Sequence, residues 1–415
     1  MSVVKVAILG FGTVGEGVYK TIHSHAEELT AVLGKKVEVA AVLIKNKQKR
    51  RNIADEVLIT SDIEEILQLP QLDLVVEAIV GKEQPFSFLQ KAIKRGCHII
   101  TANKEMFASH SSELLKLAEE NHVSVGFEAT VGGGIPIIQT LRQLLKINRV
   151  QHVQGIVNGT SNFILTEMRE KQQSFAAALK LAQENGFAEA DPTNDVEGFD
   201  AFYKLMILSR IAFGQEPNWN EVDIAGITSI TSELIETAEK LGLRFKHIVS
   251  AGKVGSQVKG SVSPVLVSKN HPFYHVEGVE NAINVHSDIV GRITLQGPGA
   301  GMFPTASAVI EDLVYVCQSH LSRGNHSQTS QAASASVQDK KESSEFWLVH
   351  GLQGNYLNPL ISWIEQIGEE TFIIRAAKED VVQLATQNKT VLFYLIVDGY
   401  QLTNLNKQES LTVSL

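Results

Sequence analysis

This chain is short of several things, and each shortage closes off a class of answer. Two of its 415 residues are cysteine, Cys97 and Cys317, far apart in the sequence. That excludes a disulfide framework and leaves two structural thiols in a reducing compartment as the expectation. No apolar run approaches the roughly 20 residues that a membrane-spanning helix needs. A strand pattern begins at Val3, which leaves no room for a secretion signal. The cytoplasm is therefore the expected location. Cations are outnumbered, 37 Lys and Arg against 46 Asp and Glu, for a net charge of -9. No basic run is long enough to follow a polyanion, so neither nucleic acid nor membrane is expected as a partner. The histidines are scattered. His271 and His275 are four apart, but Pro272 breaks the helical spacing between them. Neither a transition-metal cluster nor a Ser-His-Asp arrangement emerges. What is present is ordinary for a globular protein, 44% hydrophobic and 20% charged, in a chain long enough for two or three domains.

The N-terminal region carries the first chemistry. Residues 3–9 read as a buried strand that runs into Gly10-Phe11-Gly12-Thr13-Val14-Gly15 and then a helix pattern from Glu16 to His25 and beyond. The first glycine permits a tight turn and the second a close backbone approach to a pyrophosphate. The third lets helix pack on strand, and the helix N-terminus faces the anion. Alone the glycine pattern is weak; between an N-terminal strand and a helix it is a dinucleotide fingerprint. The second strand, 37–44, ends in Lys45-Asn46-Lys47 where NAD binding calls for an acid. Lys45 and Lys47 there favour the 2'-phosphate of NADP, with NAD possible; a solvated basic loop is the competing reading. Residues 72–79 and 98–101 read as further strands, 85–95 and 111–121 as helices, and 123–128 as another strand. Thr101-Ala102-Asn103-Lys104 places a lysine at a strand's carboxyl end, where open α/β sheets bind ligands. Glu128 is followed by Val131, three glycines (132–134) and Ile135. This loop reads as an interdomain hinge, or as inward carbonyls for a hard cation.

The central region holds the densest signal, residues 182–204. A helix pattern over 175–185 stops at Gly186. A loop with Glu189, Asp191, Pro192 and Asp195 follows, then a helix over 199–213 that is apolar on most of its circumference. Such a helix is buried, yet Asp200 and Lys204 sit four apart on one of its faces. A buried charge is costly unless paired. The pair therefore reads as facing a cleft, with nearby acids keeping Lys204 protonated as a proton donor; a surface salt bridge is the plainer alternative. Asn158-Gly159-Thr160 opens another helix and reads either as an N-cap or as donors to a carboxylate. Strand-like runs over 249–267 and 281–295 lead to Gly297-Pro298-Gly299-Ala300-Gly301 before a helix over 305–316. This second glycine cluster is placed to close over the cofactor. Residues 320–345 are polar and Ser/Gln-rich, a linker. Beyond it, strands at 346–350, 371–376 and 391–397 alternate with helices at 359–367 and 378–387.

These blocks closely resemble homoserine dehydrogenases over roughly residues 3–316. G-F-G-T-V-G, T-A-N-K, E-A-T-V-G-G-G-I-P, N-G-T-S-N-F-I-L and G-P-G-A-G each look like family motifs. The stretch A-x3-G-F-A-x2-D-P-x2-D-V-x-G-x-D-x3-K fits the family signature throughout. The resemblance implies reversible NAD(P)H-dependent reduction of L-aspartate 4-semialdehyde to L-homoserine, toward threonine and methionine. By position, Lys204 is the acid/base lysine. Glu189, Asp200, Lys104, Asn158, Gly159 and Thr160 hold substrate. Gly10, Phe11, Gly12, Thr13, Val14, Gly15, Lys45, Lys47, Lys104 and Gly301 meet the cofactor. Glu128 with the backbone of Val131, Gly133 and Ile135 binds a monovalent cation, sodium, which displaces the hinge reading. The implied fold is α/β. It comprises an N-terminal Rossmann-type domain (1–134, completed by the helix 302–317), an α+β catalytic and dimerisation domain (135–301), a linker (318–345) and a small α+β ACT-like module (346–415). A homodimer follows from the family, and threonine feedback from the last module. Phe187 and Val80 depart from the tyrosine and the glycine pair common there. Two rivals are open: an NADP-linked oxidoreductase of amino-acid metabolism with another substrate, and a non-catalytic NADP-binding sensor.

Overall fold

The computed structural model describes residues 2–46, 50–321, 344–352, 360–388 and 390–398. Lys47, most of the expected linker and parts of the last module lie outside the described residues. The chain folds as two compact units. The first is Met1–Ser229, His247–Ser263 and Val276–Val337; the second is Ile230–Lys246, Pro264–His275 and Gln338–Leu415.

The first unit begins with six strands, β1 (Val3–Leu9), β2 (Lys36–Leu43), β3 (Leu58–Thr60), β4 (Leu74–Glu77), β5 (His98–Thr101) and β6 (Val125–Gly126). All pair in parallel, in the order β3-β2-β1-β4-β5-β6. Val6, Ala7, Ile8 and Leu9 of β1 are all fully buried, as expected of a central strand covered on both faces. The helices between strands are α1 (Thr13–Ser24), α2 (Ala26–Leu33), α3 (Ile63–Leu67), α4 (Glu83–Lys94) and α5 (Lys104–Glu120). The order reverses between β1 and β4, so the carboxyl ends of those two strands frame the crevice where such sheets take ligands.

Two boundaries differ from the sequence reading for identifiable reasons. α5 begins seven residues before the expected 111, because Asn103 caps it by accepting the Met106 amide at 3.0 Å. The expected strand 123–128 pairs only at Val125 and Gly126. The Glu128 amide donates instead to Asp312 Oδ2 at 2.7 Å, and the chain enters a short 3-10 turn.

The unit continues through α6 (Ile137–Leu144), β7 (Val150–Ile156), α7 (Gly159–Glu170), α8 (Phe175–Glu184), α9 (Thr193–Val196), α10 (Phe199–Phe213) and β8 (Asp223–Ile224). After α11 (Ser232–Lys240), a second-unit element, β9 (Leu243–Val254) and β10 (Gln257–Ser268) have residues in each unit. Then come β11 (Glu280–Ser287), β12 (Gly291–Pro298) and α12 (Met302–Leu321). Strands β12, β11, β7 and β9 form an antiparallel run. Ile138 and Leu141 of α6 and Leu205 and Leu208 of α10 share one core with Val153 and Val249 from these strands. α12 packs its Ala306, Val309, Leu313 and Val316 with Val18 and Ile22 of α1. The crossing is close: a Cβ on Gly17 would lie 2.7 Å from the Met302 carbonyl.

In the second unit, β13 (Glu345–His350), β14 (Trp363–Gln366), β15 (Thr371–Ala376), α13 (Lys378–Gln387) and β16 (Leu392–Val397) follow. Their strands pair antiparallel, and β16 pairs in parallel with β10 at Leu266 and Val267. β14 corrects the helix expected over 359–367. Leu360, Trp363, Ile364 and Ile367 are spaced like a helical face, but residues 363–366 extend to pair with β15, and the ladder overrides the spacing. Residues 318–321, expected as linker, belong to α12.

Candidate active site

At the β1–α1 turn, each glycine has its own reason. Gly10 has φ +94°, and a Cβ there would lie 2.5 Å from the Ala78 carbonyl. A Cβ on Gly15 would lie 2.0 Å from the Gly10 carbonyl, so helix could not sit on strand. Gly12, the N-cap of α1, faces open space. Phe11, Thr13 and Val14 complete the turn. Lys45 is exposed just beyond β2. Val80, 94% exposed, precedes Gly81 in the turn after β4.

The second half of the site is built on α10. Gly198, with φ +88°, turns the chain so that Asp200 falls in the first helical turn. Asp200 is buried and fully engaged. Oδ2 accepts Lys204 Nζ at 2.7 Å and Asn158 Nδ2 at 2.8 Å, and Oδ1 meets Lys104 Nζ at 2.6 Å. Lys204 Nζ also donates to the Val157 carbonyl at 2.6 Å. Asn158 caps α7 through Ser161 N and donates to Asp195 Oδ1 at 2.7 Å, so the N-cap and the site roles are combined in one side chain. Lys104 opens α5 directly beyond the carboxyl end of β5, which brings the cluster to the ligand edge of the parallel sheet.

Burial pushes the Asp200 carboxyl up, but the Lys204 and Lys104 ammonium groups outweigh it and hold the carboxyl well below the usual range. Lys104 is drawn up by Asp200 against its own burial. Lys204 goes the other way: burial pushes it down, and Asp200 only partly restores it against the like charge of Lys104. The nearby acids do favour the charged form of Lys204, as expected, but burial works against them. A lysine whose pKa is lowered gives up its proton more readily than an ordinary one.

Other expected residues are placed as follows. Thr160 Oγ1 donates to the Phe187 carbonyl at 2.6 Å, and Gly159 lets the chain pass the Val279 carbonyl. Glu189 is exposed in the segment after Gly186, and the structure does not bring it to Lys204. Asp195 and the Val157 carbonyl stand in the cluster instead; sequence reasoning noted Asp195 only as one of several loop acids. Glu128 is buried, its Oε1 accepting Ile138 N at 2.7 Å and its Oε2 accepting Gln139 N at 2.8 Å at the start of α6. Burial pushes it up to about 7. The Ile135 carbonyl accepts Ile137 N at 2.7 Å, and Val131 is fully buried. Gly133 lies against Gly299, where a Cβ would meet the carbonyl at 2.4 Å, and Gly134 N donates to the Pro298 carbonyl. The two glycine clusters thus stack on each other. Gly301, with φ +128°, leads into α12. Among the described residues no group of three or more His, Cys, Asp or Glu is placed to hold a metal, and no helix is long and apolar enough to cross a membrane.

A dinucleotide cradle opening onto a buried carboxylate with two lysines defines a class, the nicotinamide-dependent oxidoreductases. Residues 10–128 match the family model described as homoserine dehydrogenase, NAD binding domain, and residues 136–314 match that of homoserine dehydrogenase. The chain belongs to the homoserine dehydrogenase family. A homoserine dehydrogenase of Bacillus subtilis is 42% identical over 317 residues, 76% of this chain and 73% of that protein. One of Pseudomonas aeruginosa is 43% identical over 316 residues, 76% and 73% of the two chains. The crystal structure of a homoserine dehydrogenase from Thiobacillus denitrificans aligns with a TM-score of 0.85 at 34% identity, covering 95% of this chain and 98% of that one. A hyperthermophilic archaeal homoserine dehydrogenase in complex with NADPH aligns at 0.66 and 27% identity, covering 76% and 98%. The chain is accordingly an NAD(P)-dependent oxidoreductase acting on a CH–OH group, the homoserine dehydrogenase step of threonine and methionine biosynthesis. Its first domain binds the nicotinamide cofactor.

Proposed function

We propose that Lys204 is the acid/base residue for interconversion of L-aspartate 4-semialdehyde and L-homoserine, with NADPH preferred. The observation that carries this reading is the Asp200 carboxylate held between Lys204 and Lys104. When bound, the reduced dinucleotide supplies hydride to the aldehyde carbon. The carbonyl oxygen then gains negative charge, and Lys204 Nζ delivers a proton to it, directly or through one water. Asp200 and Lys104 orient the substrate's polar groups, and Asn158, Gly159 and Thr160 line its other side. Glu189 is the residue we assign to the substrate's amino end. In oxidation the proton returns to Lys204, whose lowered pKa suits that role.

The glycine turn fits the dinucleotide: open space faces Gly12, and side chains at Gly10 and Gly15 would collide with backbone. Gly10, Phe11, Gly12, Thr13, Val14 and Gly15 hold the pyrophosphate, with Lys104 and Gly301 toward the nicotinamide. Lys45 and Lys47 take the 2'-phosphate, which favours NADP. A monovalent cation, sodium, fits the 128–135 loop. Glu128 is buried and its own hydrogen-bond partners are neutral amides, and with backbone carbonyls it makes an all-oxygen donor set. Glu128, Val131, Gly133 and Ile135 would hold it and brace the loop. We place the enzyme in the cytoplasm as a homodimer, free of nucleic acid and membrane. In it, residues 1–134 with helix 302–317 bind the nucleotide, and 135–301 carry catalysis and dimerisation. Residues 346–415 form an ACT-like regulatory module.

One steady-state assay tests the reading. Homoserine oxidation measured with NADP, with NAD and with added threonine is expected to run faster with NADP. Absent turnover on homoserine, with activity on another amino alcohol, would replace the substrate. Cofactor binding without turnover on any of them would leave a sensor.

A further inference from the structure

Glu77 ends β4, fully buried, and no step above uses it. Its two oxygens are both engaged. Oε1 accepts the Ile79 amide at 2.6 Å, and Oε2 accepts the Thr101 hydroxyl at 2.6 Å. Thr101 Oγ1 accepts the Asn103 amide at 3.0 Å. The Asn103 side chain then donates to the carbonyls of Ile79 at 2.8 Å and Gly81 at 2.7 Å while capping α5. One carboxylate and one amide therefore join the turn after β4 to the junction of β5 and α5. The next residue along is Lys104, whose ammonium group meets Asp200 at 2.6 Å.

We propose that Glu77 is a positioning residue that fixes the β5–α5 junction so that Lys104 stands at Asp200 and the substrate. The proposal rests on the reading of Lys104 as a substrate-site residue. Both neighbours of the carboxyl are donors, and each of its oxygens accepts from one of them. The substitution Glu77→Gln keeps the volume but presents an N–H to Thr101. The Thr101 hydroxyl would then have to turn, and its link to Asn103 would be reset. Burial pushes the Glu77 carboxyl up to about 7, since hydrogen bonds from Thr101, Ile79 and Asn103 offset that cost only in part. A group kept buried at such a cost, one junction away from a reacting cluster, is placed for geometry.

The test is a double-mutant cycle on kcat/KM for homoserine oxidation, with Glu77→Gln, Lys104→Ala and the pair. Glu77→Gln alone is expected to lower kcat/KM by about 10²-fold, the usual effect of a misplacement near 1 Å. In the Lys104→Ala background it is expected to cost nothing further, because the group it positions is gone. If the two losses multiply, or if Glu77→Gln keeps full kcat/KM, the proposal is wrong. If Lys104→Ala alone is harmless, the reading of Lys104 fails instead. Should Glu77→Gln not fold, Thr101→Val breaks the same link and enters the same cycle. Thr101→Ser keeps the hydroxyl and is expected to retain wild-type kcat/KM, which a loss of mere bulk would not allow.

Discussion

Asp200 and Glu77 are both buried carboxylates, one in contact with Lys104 and the other with the loop that bears it, and the protein treats them in opposite ways. Asp200 has two ammonium groups within hydrogen-bond reach and lies well below the usual carboxylate range. Glu77 has an amide and a hydroxyl at equally short distances and rises to about 7. Two good hydrogen bonds from neutral donors do not replace one buried counter-charge. The difference separates a group that must be ionised to hold two lysines from one whose task is to tie backbone together.

The largest expected effect tests the charged side. Lys204→Ala should lower kcat for homoserine oxidation by about 10³-fold, within the span of general acid–base catalysis, while NADPH fluorescence titration still reports binding. Near-normal turnover would remove Lys204 from proton transfer.

The second prediction concerns Glu77 and has a definite sign. Its folded pKa, about 7, is raised above 4.5. The stability it contributes is thus fully present below about pH 4.5 and is lost as pH rises through 7. The gap corresponds to about 3 kcal/mol. Asp200 adds no slope in that window, because its contribution is present above its unfolded value and lost only as pH falls below it. Urea unfolding at pH 5 and pH 8 should therefore show the wild type losing stability relative to Glu77→Gln. A difference that did not change with pH would mean that folding does not raise the Glu77 carboxyl.

Asp200→Asn sharpens the contrast from the other direction. It keeps the shape and removes the charge between the lysines, with an expected loss of about 10²-fold in kcat/KM. Because Asp200 holds Lys204 up, the kinetic pKa assigned to Lys204 should also move lower. A pH–rate profile that stayed fixed would uncouple the two. The smallest effect is expected at the rim. Lys45→Glu should shift the NADP-to-NAD ratio of kcat/KM by about tenfold toward NAD, the loss of one phosphate-facing charge in water.

What the sequence made legible was local. The helix Phe199–Phe213 and the glycine turn after β1 follow from spacing that a single segment carries. The Asp200–Lys204 pair is legible for the same reason, since four residues is one turn. Asp195, the Val157 carbonyl and the Glu77–Thr101–Asn103 chain were not, because the folded chain brings them together from separate segments. Asp312, some 184 residues from Glu128, cut a strand short in a way no window could show. The burial that works against the charge on Lys204 was not legible either, because acids can be counted in a sequence while the depth of burial cannot. β14 was misread because four residues of strand can carry the spacing of a helical face.

The passage of α12 across α1 bears on how the molecule is made. The apolar stripe of Val18 and Ile22 shares its cover between β1, β2 and α2 and the late residues 306–316. A ribosome has to emit about three-quarters of the polypeptide before the nucleotide cradle can seal. A nascent chain stopped at residue 134 would leave part of that stripe open to chaperones or to its neighbours, so the dinucleotide half, although begun first, is completed only after residues 135–301 have been made.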